Sequence, residues 1–248
     1  MQSNKNKTQK DFFLAGKNVS WITAMFSIVA TETSVLTFIS VPGISYRGDW
    51  TFLQLAIGYV FGRVLVSSLL IPMFFKHGVT SIYEILEKRF NVIVQRIASF
   101  TFLFTRVLAD AVRFAAIAIV IQAITSLSIT LSILIVGLVT LIYTVLGGLK
   151  TVMHIDAFQF FIYILSAFIC IASLMVFIDL PFKDIVLQLN DSNKLKIIDF
   201  TGNIFTKPFM FISAFFGGTM LSFASHGADY MMVQRVLATK DITSAKKA

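Results

Sequence analysis

The sequence predicts an all-α polytopic membrane protein with about six transmembrane helices. Hydrophobic residues make up 56% of the 248 residues and charged residues only 14%, against about 25% in typical soluble proteins. Continuous apolar runs exclude an outer-membrane barrel, whose strands alternate over about ten residues. Six windows approach the roughly 20 apolar residues that cross a bilayer. They cover residues 21–41, 52–75, 97–121, 129–146, 157–178 and 208–228.

The basic excess, a net charge of +8, indicates topology rather than a nucleic-acid partner. When successive loops are assigned alternately to two sides, one side carries 13 Lys and Arg residues and the other five. The positive-inside rule places the richer side in the cytoplasm. The N-terminal segment 1–20 and the tail 231–248 are therefore expected there, in a multi-pass protein of the plasma or inner cell membrane.

The first span is interrupted at its centre by the polar stretch Ala30-Thr31-Glu32-Thr33-Ser34. A carboxylate at mid-membrane costs about 2.5–3.5 kcal/mol on insertion scales, so it normally faces a watery cavity or an ion pathway. We therefore predict a broken helix that lines a binding site. The alternative is a continuous helix whose hydroxyls bond their own carbonyls, with Glu32 paired to Arg63.

A break in this helix would free backbone carbonyls for a cation and direct half-helix ends at a solute. Sodium is a hard cation and is expected to favour such oxygen ligands. The carbonyls near Ala30 and Thr33 are the candidates, with polar side chains from Glu32, Ser34 and Thr37 close by.

The next two spans carry features that predict helix packing and ion pairing. Gly58 and Gly62 have the small-xxx-small spacing that lets a neighbouring helix approach closely. Arg106, Asp110 and Arg113 share one face of the third span, since residues three and four apart are neighbours on a helix. We interpret the three as a structural ion network; direct contact of an arginine with the solute is the alternative.

The sixth span repeats the polar composition of the first. Glycines, hydroxyls, His226 and Asp229 interrupt its apolar sequence between residues 217 and 229. Paired interruptions in corresponding spans point to the site of an inverted-repeat transporter. Residues 21–178 would form a first five-helix repeat, 179–207 an extracytoplasmic loop, and 208–230 the first helix of a second repeat.

Enzymatic chemistry is not expected, because no catalytic residues or cofactor motif can be identified. The three histidines, His77, His154 and His226, are scattered and lack metal-ligand spacing. His226 is either a proton-linked switch or a hydrogen-bonded structural residue. The lone Cys170 lies among apolar residues and needs no functional role.

Four local motifs resemble the sodium:solute symporter family, which includes sodium–glucose, proline, pantothenate and sialic acid carriers. They follow the family's order along nearly the whole chain. The motifs are Asp11-Phe12-Phe13-Leu14-Ala15-Gly16-Lys17, Thr37-Phe38 through Pro42-Gly43 and Tyr46, Gly147-Gly148-Leu149 with Asp156 and Gln159, and Asp229 through Gln234-Arg235.

The resemblance implies a partial five-plus-five inverted-repeat core and sodium-driven uptake of a small organic solute by alternating access. By matched position, Ala30 and Thr33 would supply carbonyls to the main sodium site, and Asp156 would match a second cation site or inner gate. Sodium would be the coupling ion, with no other cofactor. The solute cavity would be lined by Glu32, Ser34, Leu36, Thr37, Ser222, Ser225, His226 and Asp229.

Family members usually have a helix before the first motif and several after the sixth core helix, so the chain is expected to be an N-terminal fragment. The expected partners are sodium, the solute and the lipid bilayer, and a further candidate is a separate chain that carries the missing C-terminal helices. A membrane sensor module of the same fold and a non-functional truncation are the alternative interpretations.

Overall fold

The computed structural model describes residues 9–79 and 81–248. Within them the regular structure is helical, and the β pairing is limited to one isolated bridge between Val19 and Thr239. Residues 1–8 of the predicted N-terminal segment lie outside the described residues. The α-helices are α1 (Gln9–Leu14), α2 (Trp21–Glu32), α3 (Val35–Arg47), α4 (Gln54–Leu65), α5 (Ile71–His77), α6 (Tyr83–Arg89), α7 (Val92–Thr125), α8 (Ile129–Phe177), α9 (Phe182–Asp191), α10 (Phe211–Gly227), α11 (Tyr230–Leu237) and α12 (Ile242–Lys247).

Among the described residues, three helical segments are long and apolar enough to cross a membrane: Thr51–His77, Val92–Thr125 and Ile129–Phe177. The pair α2–α3, bent by 62° at its break, makes a fourth when it is counted as one span. The structure confirms the prediction, made from composition, of an all-helical protein with long apolar helices.

Helix α8 contains the windows predicted as the fourth and fifth spans. Its 49 residues would extend about 74 Å at 1.5 Å per residue, more than twice the roughly 30 Å of a hydrocarbon core. The helix is divided at Gly148, whose φ of 59° and ψ of −168° are not helical. This positive φ is a conformation that glycine adopts without the steric cost of a Cβ.

The first span ends later than predicted. The sequence predicts its last helical residue at position 41, before Pro42 and Gly43, but α3 continues to Arg47. Pro42 removes only the amide that would bond to Phe38. In apolar surroundings the helix satisfies the remaining backbone groups, so one missing bond does not end it.

Glycines hold α4 and α10 at backbone contact. A methyl group at Gly58 would overlap the Phe215 carbonyl, and one at Gly218 would lie 2.7 Å from the Leu55 carbonyl. One turn further along α4, a Cβ added at Gly62 would lie 2.5 Å from the Thr219 carbonyl of α10. The close approach predicted from the glycine spacing is therefore present, and its partner is α10.

The sixth span stays helical for longer than its composition predicts. Although the prediction places the interruption between residues 217 and 229, α10 is continuous from Phe211 to Gly227. The helix breaks at Ala228 and Asp229, before α11. Gly218 serves the contact with α4 rather than a break, which explains the difference.

Candidate functional site

The interruption predicted in the first span is present between α2 and α3. Helix α2 ends at Glu32, and the next two residues are extended, with ψ of 122° at Thr33 and 156° at Ser34. The Ser34 hydroxyl accepts a hydrogen bond from the Leu36 amide at 3.2 Å and so caps α3. A C-terminal and an N-terminal helix end therefore face each other inside an apolar span.

The backbone at this break has carbonyls available. In the described part of the chain, no backbone amide donates to the carbonyls of Ala30 or Thr33, the two oxygens expected to bind sodium. The Thr31 and Thr33 hydroxyls do bond back to the carbonyls of Ser27 and Val29, at 2.7 and 2.8 Å. The back-bonding of the alternative interpretation thus occurs, but the helix it assumed to be continuous is broken.

Glu32 lies at the end of α2 and contacts two other spans. Arg63 of α4 donates from Nη2 to Glu32 Oε2. His226 of α10 places Nε2 3.5 Å from Glu32 Oε1. The side chains of Glu32 and Arg63 are 30% and 41% exposed, whereas that of His226 is 10% exposed. The Glu32–Arg63 pair, which belongs to the alternative interpretation without a binding site, is present and lies at the break itself.

The other predicted solute-lining residues on α10 and just beyond it are occupied by internal bonds. Ser222 is buried and donates to the Tyr59 carbonyl of α4 at 3.0 Å. Ser225 lies 2.9 Å from His226 Nδ1. Asp229 caps α11 by accepting from the Met231 amide at 2.8 Å.

On α3, Leu36 and Thr37 are exposed. The structure thus groups Glu32 with His226, and places Leu36 and Thr37 beyond the break.

Asp156 forms a separate buried cluster with Ser27 and Arg235. Its Oδ2 accepts from the Ser27 hydroxyl at 2.6 Å and from Arg235 Nη2 at 2.9 Å, and Arg235 Nε also donates to Ser27 at 2.8 Å. Thr31 lies 3.4 Å from the same carboxylate oxygen. Sequence reasoning identified Asp156 but missed Arg235 and Ser27, because 79 and 129 residues separate them from it.

The arginine–aspartate network predicted on the third span is present. Arg106 and Arg113 bond Asp110 at 3.0 and 2.8 Å. Arg106 Nη1 also lies 3.8 Å from Asp229, at the break between α10 and α11. The network therefore connects α7 to the second broken region, which its spacing alone could not indicate.

A cavity of 370 Å³ lies beside the first break, between it and the second half of α8. Its walls combine the backbone of the break with polar side chains one helical turn apart on α8. The polar residues that line it are Thr33, Ser34, Gln159, Tyr163 and Ser166. Among the described residues there is no group of three or more His, Cys, Asp and Glu side chains that could hold a metal ion. Oxygen ligands for a monovalent cation and hydrogen bonds for a small solute are the chemistry that this region offers.

Comparison with known proteins agrees with this architecture. Residues 12–248 match the model of the family described as "SSF: Sodium:solute symporter family". The human sodium/iodide cotransporter is 27% identical over 98% of this chain, and the sodium/sialic acid symporter NanT of Aliivibrio fischeri is 29% identical over 99%. The sodium-coupled monocarboxylate transporter 1 of Xenopus laevis is 30% identical over 97%.

A solved structure of a Na⁺-coupled sialic acid symporter, in a substrate-bound outward-open state, superposes with a TM-score of 0.86 at 25% identity. It matches 99% of this chain and 51% of its own length. The chain spans 37% of the iodide cotransporter, 38% of the monocarboxylate transporter and 48% of NanT, less than half of each of these relatives.

Proposed function

The chain belongs to the sodium:solute symporter family, and we propose that it forms the N-terminal part of a carrier that couples sodium entry to the uptake of a small organic solute. The carrier works by alternating access, in the plasma or inner membrane. Its partners are sodium, the solute and the bilayer. It performs no covalent chemistry, so it needs no catalytic residue and no cofactor.

The proposed topology has six spans, with residues 21–178 as the first five-helix repeat and 208–230 as the opening helix of an inverted second repeat. The break at Gly148 supports two spans within α8, because each half is long enough to cross the hydrocarbon core. The charge asymmetry of the loops supports a cytoplasmic N-terminal segment.

The observation that carries the proposal is the break between α2 and α3. An apolar span with unpaired carbonyls at its centre is tolerated only where it lines a cavity or binds a ligand. The carbonyls of Ala30 and Thr33 are assigned to sodium, and Asp156 to a second cation position or an inner gate. The solute is assigned to the region of Glu32 and His226, together with the other predicted lining residues.

The names of the relatives suggest which solutes to test first. Iodide, monocarboxylates and sialic acid are the solutes named for them, and all three are anions at neutral pH. The complete carrier that contains this chain should be reconstituted into liposomes, and uptake of each labelled solute should be measured with an inward gradient of sodium or of potassium. Uptake of one solute that requires sodium is expected. If the carrier takes up a solute at the same rate in the sodium and potassium gradients, sodium coupling is refuted.

The break itself is tested by a variant that leaves the fold in place. Glu32→Gln is expected to lower sodium-driven uptake or to change its cation dependence, because the carboxylate lies next to the proposed ligands. Asp110→Asn on α7 is the matched control, since it also removes a carboxylate that is ion-paired with an arginine. If the Glu32→Gln variant keeps the sodium kinetics of the wild type, Glu32 is not part of the site.

A further inference from the structure

Three ionisable side chains from three helices meet where the first and sixth spans come together: Glu32, Arg63 and His226. One oxygen of Glu32 is held by Arg63 and the other faces His226 Nε2 at 3.5 Å. His226 is only 9% exposed, and neither its Nε2 nor Arg63 Nε has a hydrogen-bond partner among the described residues. The cluster is therefore incompletely satisfied although its histidine is buried.

The neighbours of the His226 ring offer acceptors to Nδ1. Nδ1 lies 2.9 Å from the Ser225 hydroxyl and 3.2 Å from the Ser222 carbonyl, and that hydroxyl lies 3.3 Å from the same carbonyl. The Ser222 carbonyl can only accept, and the Ser225 hydroxyl can accept as well as donate, so both contacts fit a ring that donates from Nδ1, and we take Nδ1 as the donor. In the neutral ring Nε2 is then a bare lone pair, and it faces a carboxylate oxygen with no hydrogen between them.

The surrounding charges favour a positive group at this point. Helices α2 and α10 both end here, and the C-terminal end of a helix carries a partial negative charge. Asp229 lies three residues after His226 on the chain, although Arg106 and the amides of α11 already engage it. Arg63 on α4 is the opposing charge, because it occupies the other oxygen of Glu32.

We infer that His226 Nε2 is a proton-binding position, at which an imidazolium and the Arg63 guanidinium share the Glu32 carboxylate. Binding the proton converts two facing acceptors into a charge-assisted hydrogen bond and breaks no covalent bond. With a proton on Nε2, the ring and the carboxylate need to close only from 3.5 Å to the roughly 2.7–2.9 Å of a charge-assisted bond. Sodium would find a single oxygen there and prefers several. Resting on the proposed carrier function, the inference adds a proton to the sodium ions that the carrier binds.

The other two histidines provide matched controls within the chain. Both place Nδ1 against the carbonyl four residues earlier, His77 against Met73 at 2.8 Å and His154 against Lys150 at 2.7 Å. Both are exposed, and neither forms a salt bridge with a carboxylate among the described residues. They therefore share the Nδ1 contact of His226 and lack its Glu32.

The first test is independent of transport. The protein is labelled with ¹⁵N-histidine, placed in lipid nanodiscs and titrated by NMR, with His77→Asn and His154→Asn used to assign the signals. At high pH, His226 is expected as the Nδ1–H tautomer, and it should become imidazolium on acidification. Glu32→Gln should move that transition about one to three pH units lower, as expected for an opposite charge within 4–6 Å, and Arg63→Gln should move it higher.

The signals of His77 and His154 should not respond to either substitution. An Nε2–H tautomer for neutral His226, or an unchanged transition in both variants, would overturn the inference. Because the two variants act in opposite directions, partial misfolding of one of them cannot mimic the expected pattern.

The second test measures proton movement during transport. Liposomes loaded with a pH-sensitive dye should acidify during sodium-driven uptake by the wild type, and the number of protons that enter per solute molecule taken up should fall for His226→Gln, whatever its remaining rate of uptake. Sodium-driven uptake without acidification in the wild type would refute proton transport while leaving the proposed function intact. Uptake by the wild type that does not depend on sodium would refute the proposed function and leave the NMR result valid on its own.

Discussion

The carboxylate–arginine pairs Asp156–Arg235 and Glu32–Arg63 differ in how completely their bonds are satisfied. Asp156 and Arg235 are both buried, and together with the Ser27 hydroxyl they form a closed network. Glu32 and Arg63 are partly exposed and leave Arg63 Nε without a partner in the described residues. The same pair of functional groups thus forms a packed connection in one place and an exchangeable contact in the other.

This difference should separate the effects on stability from the effects on transport. A buried ion pair that loses one member leaves a charge without a partner, which is strongly destabilising. A partly exposed pair contributes little to stability, about 0–1 kcal/mol, so we expect the Glu32–Arg63 pair, which lies at the break, to matter more for ligand binding than for the fold. The predictions below test this contrast, starting with the largest effect.

Asp156→Leu is expected to have the largest effect on stability. Arg235, whose side chain is 3% exposed, would remain as a buried charge, and such losses cost about 3–5 kcal/mol. Thermal unfolding followed by size-exclusion chromatography in detergent measures the loss, with Asp110→Asn as the control. A melting temperature equal to that of the control would mean that the Asp156 network is not a packed connection.

Glu32→Gln is expected to have the opposite profile. Its effect on unfolding should stay below about 1 kcal/mol, because the carboxylate is partly exposed. Sodium-driven uptake should fall roughly ten-fold, which corresponds to about 1.4 kcal/mol, the range of one lost charge-assisted bond. Uptake and melting temperature measured on the same preparation distinguish the two effects; a large loss of stability with normal uptake would reverse our assignment.

Double-mutant cycles compare the two pairs directly. The coupling energy for stability between Asp156 and Arg235 should exceed that between Glu32 and Arg63, which we expect to be at most about 1 kcal/mol. Chemical or thermal unfolding of the single and double variants gives both numbers. Equal coupling energies would remove the contrast between a packed and an exchangeable pair.

The smallest effect is expected from Asp199→Asn, in the loop outside the spans. Hydrogen bonds from Lys207 and Thr201 hold the pKa of Asp199 well below its usual range. A lowered pKa means that the carboxylate stabilises the fold above its unfolded pKa of about 3.9, and that this contribution disappears as the pH falls through the folded value.

The variant should therefore be slightly less stable than the wild type at pH 7, and the difference should narrow below about pH 4. Limited proteolysis of the loop at several pH values measures this. A difference that stays constant as the pH falls would show that the Lys207 and Thr201 bonds do not act through the charge of Asp199.

The sequence was sufficient to predict the features that depend on local composition. A carboxylate and three hydroxyls at the centre of an apolar span predicted the break at Thr33 and Ser34, because few other structures accommodate them. The spacing of Gly58 and Gly62 predicted a close helix contact. The positions of Arg106, Asp110 and Arg113 predicted their ion network, since they are neighbours on one helix.

Features that depend on distant parts of the chain could not be predicted. Arg235 reaches Asp156 across 79 residues, and only the tertiary fold brings them together. The glycines of the sixth span have two compatible interpretations, a break or a close contact, and the position of α4 decides for contact. The role of each predicted solute-lining residue depends in the same way on its surroundings, as the internal bond of Ser222 to α4 illustrates.

The glycine seam between α4 and α10 restricts how this protein can move. Main-chain atoms touch there without side chains between them, so neither helix can slide or rotate past the other unless the contact is lost. We therefore expect α4 and α10 to move together as one rigid body. In the proposed carrier, rocking that opens one side of the membrane and closes the other would have to pivot outside this contact. The non-helical residues at positions 33–34, 148 and 228–229 are breaks at which the helices are already interrupted.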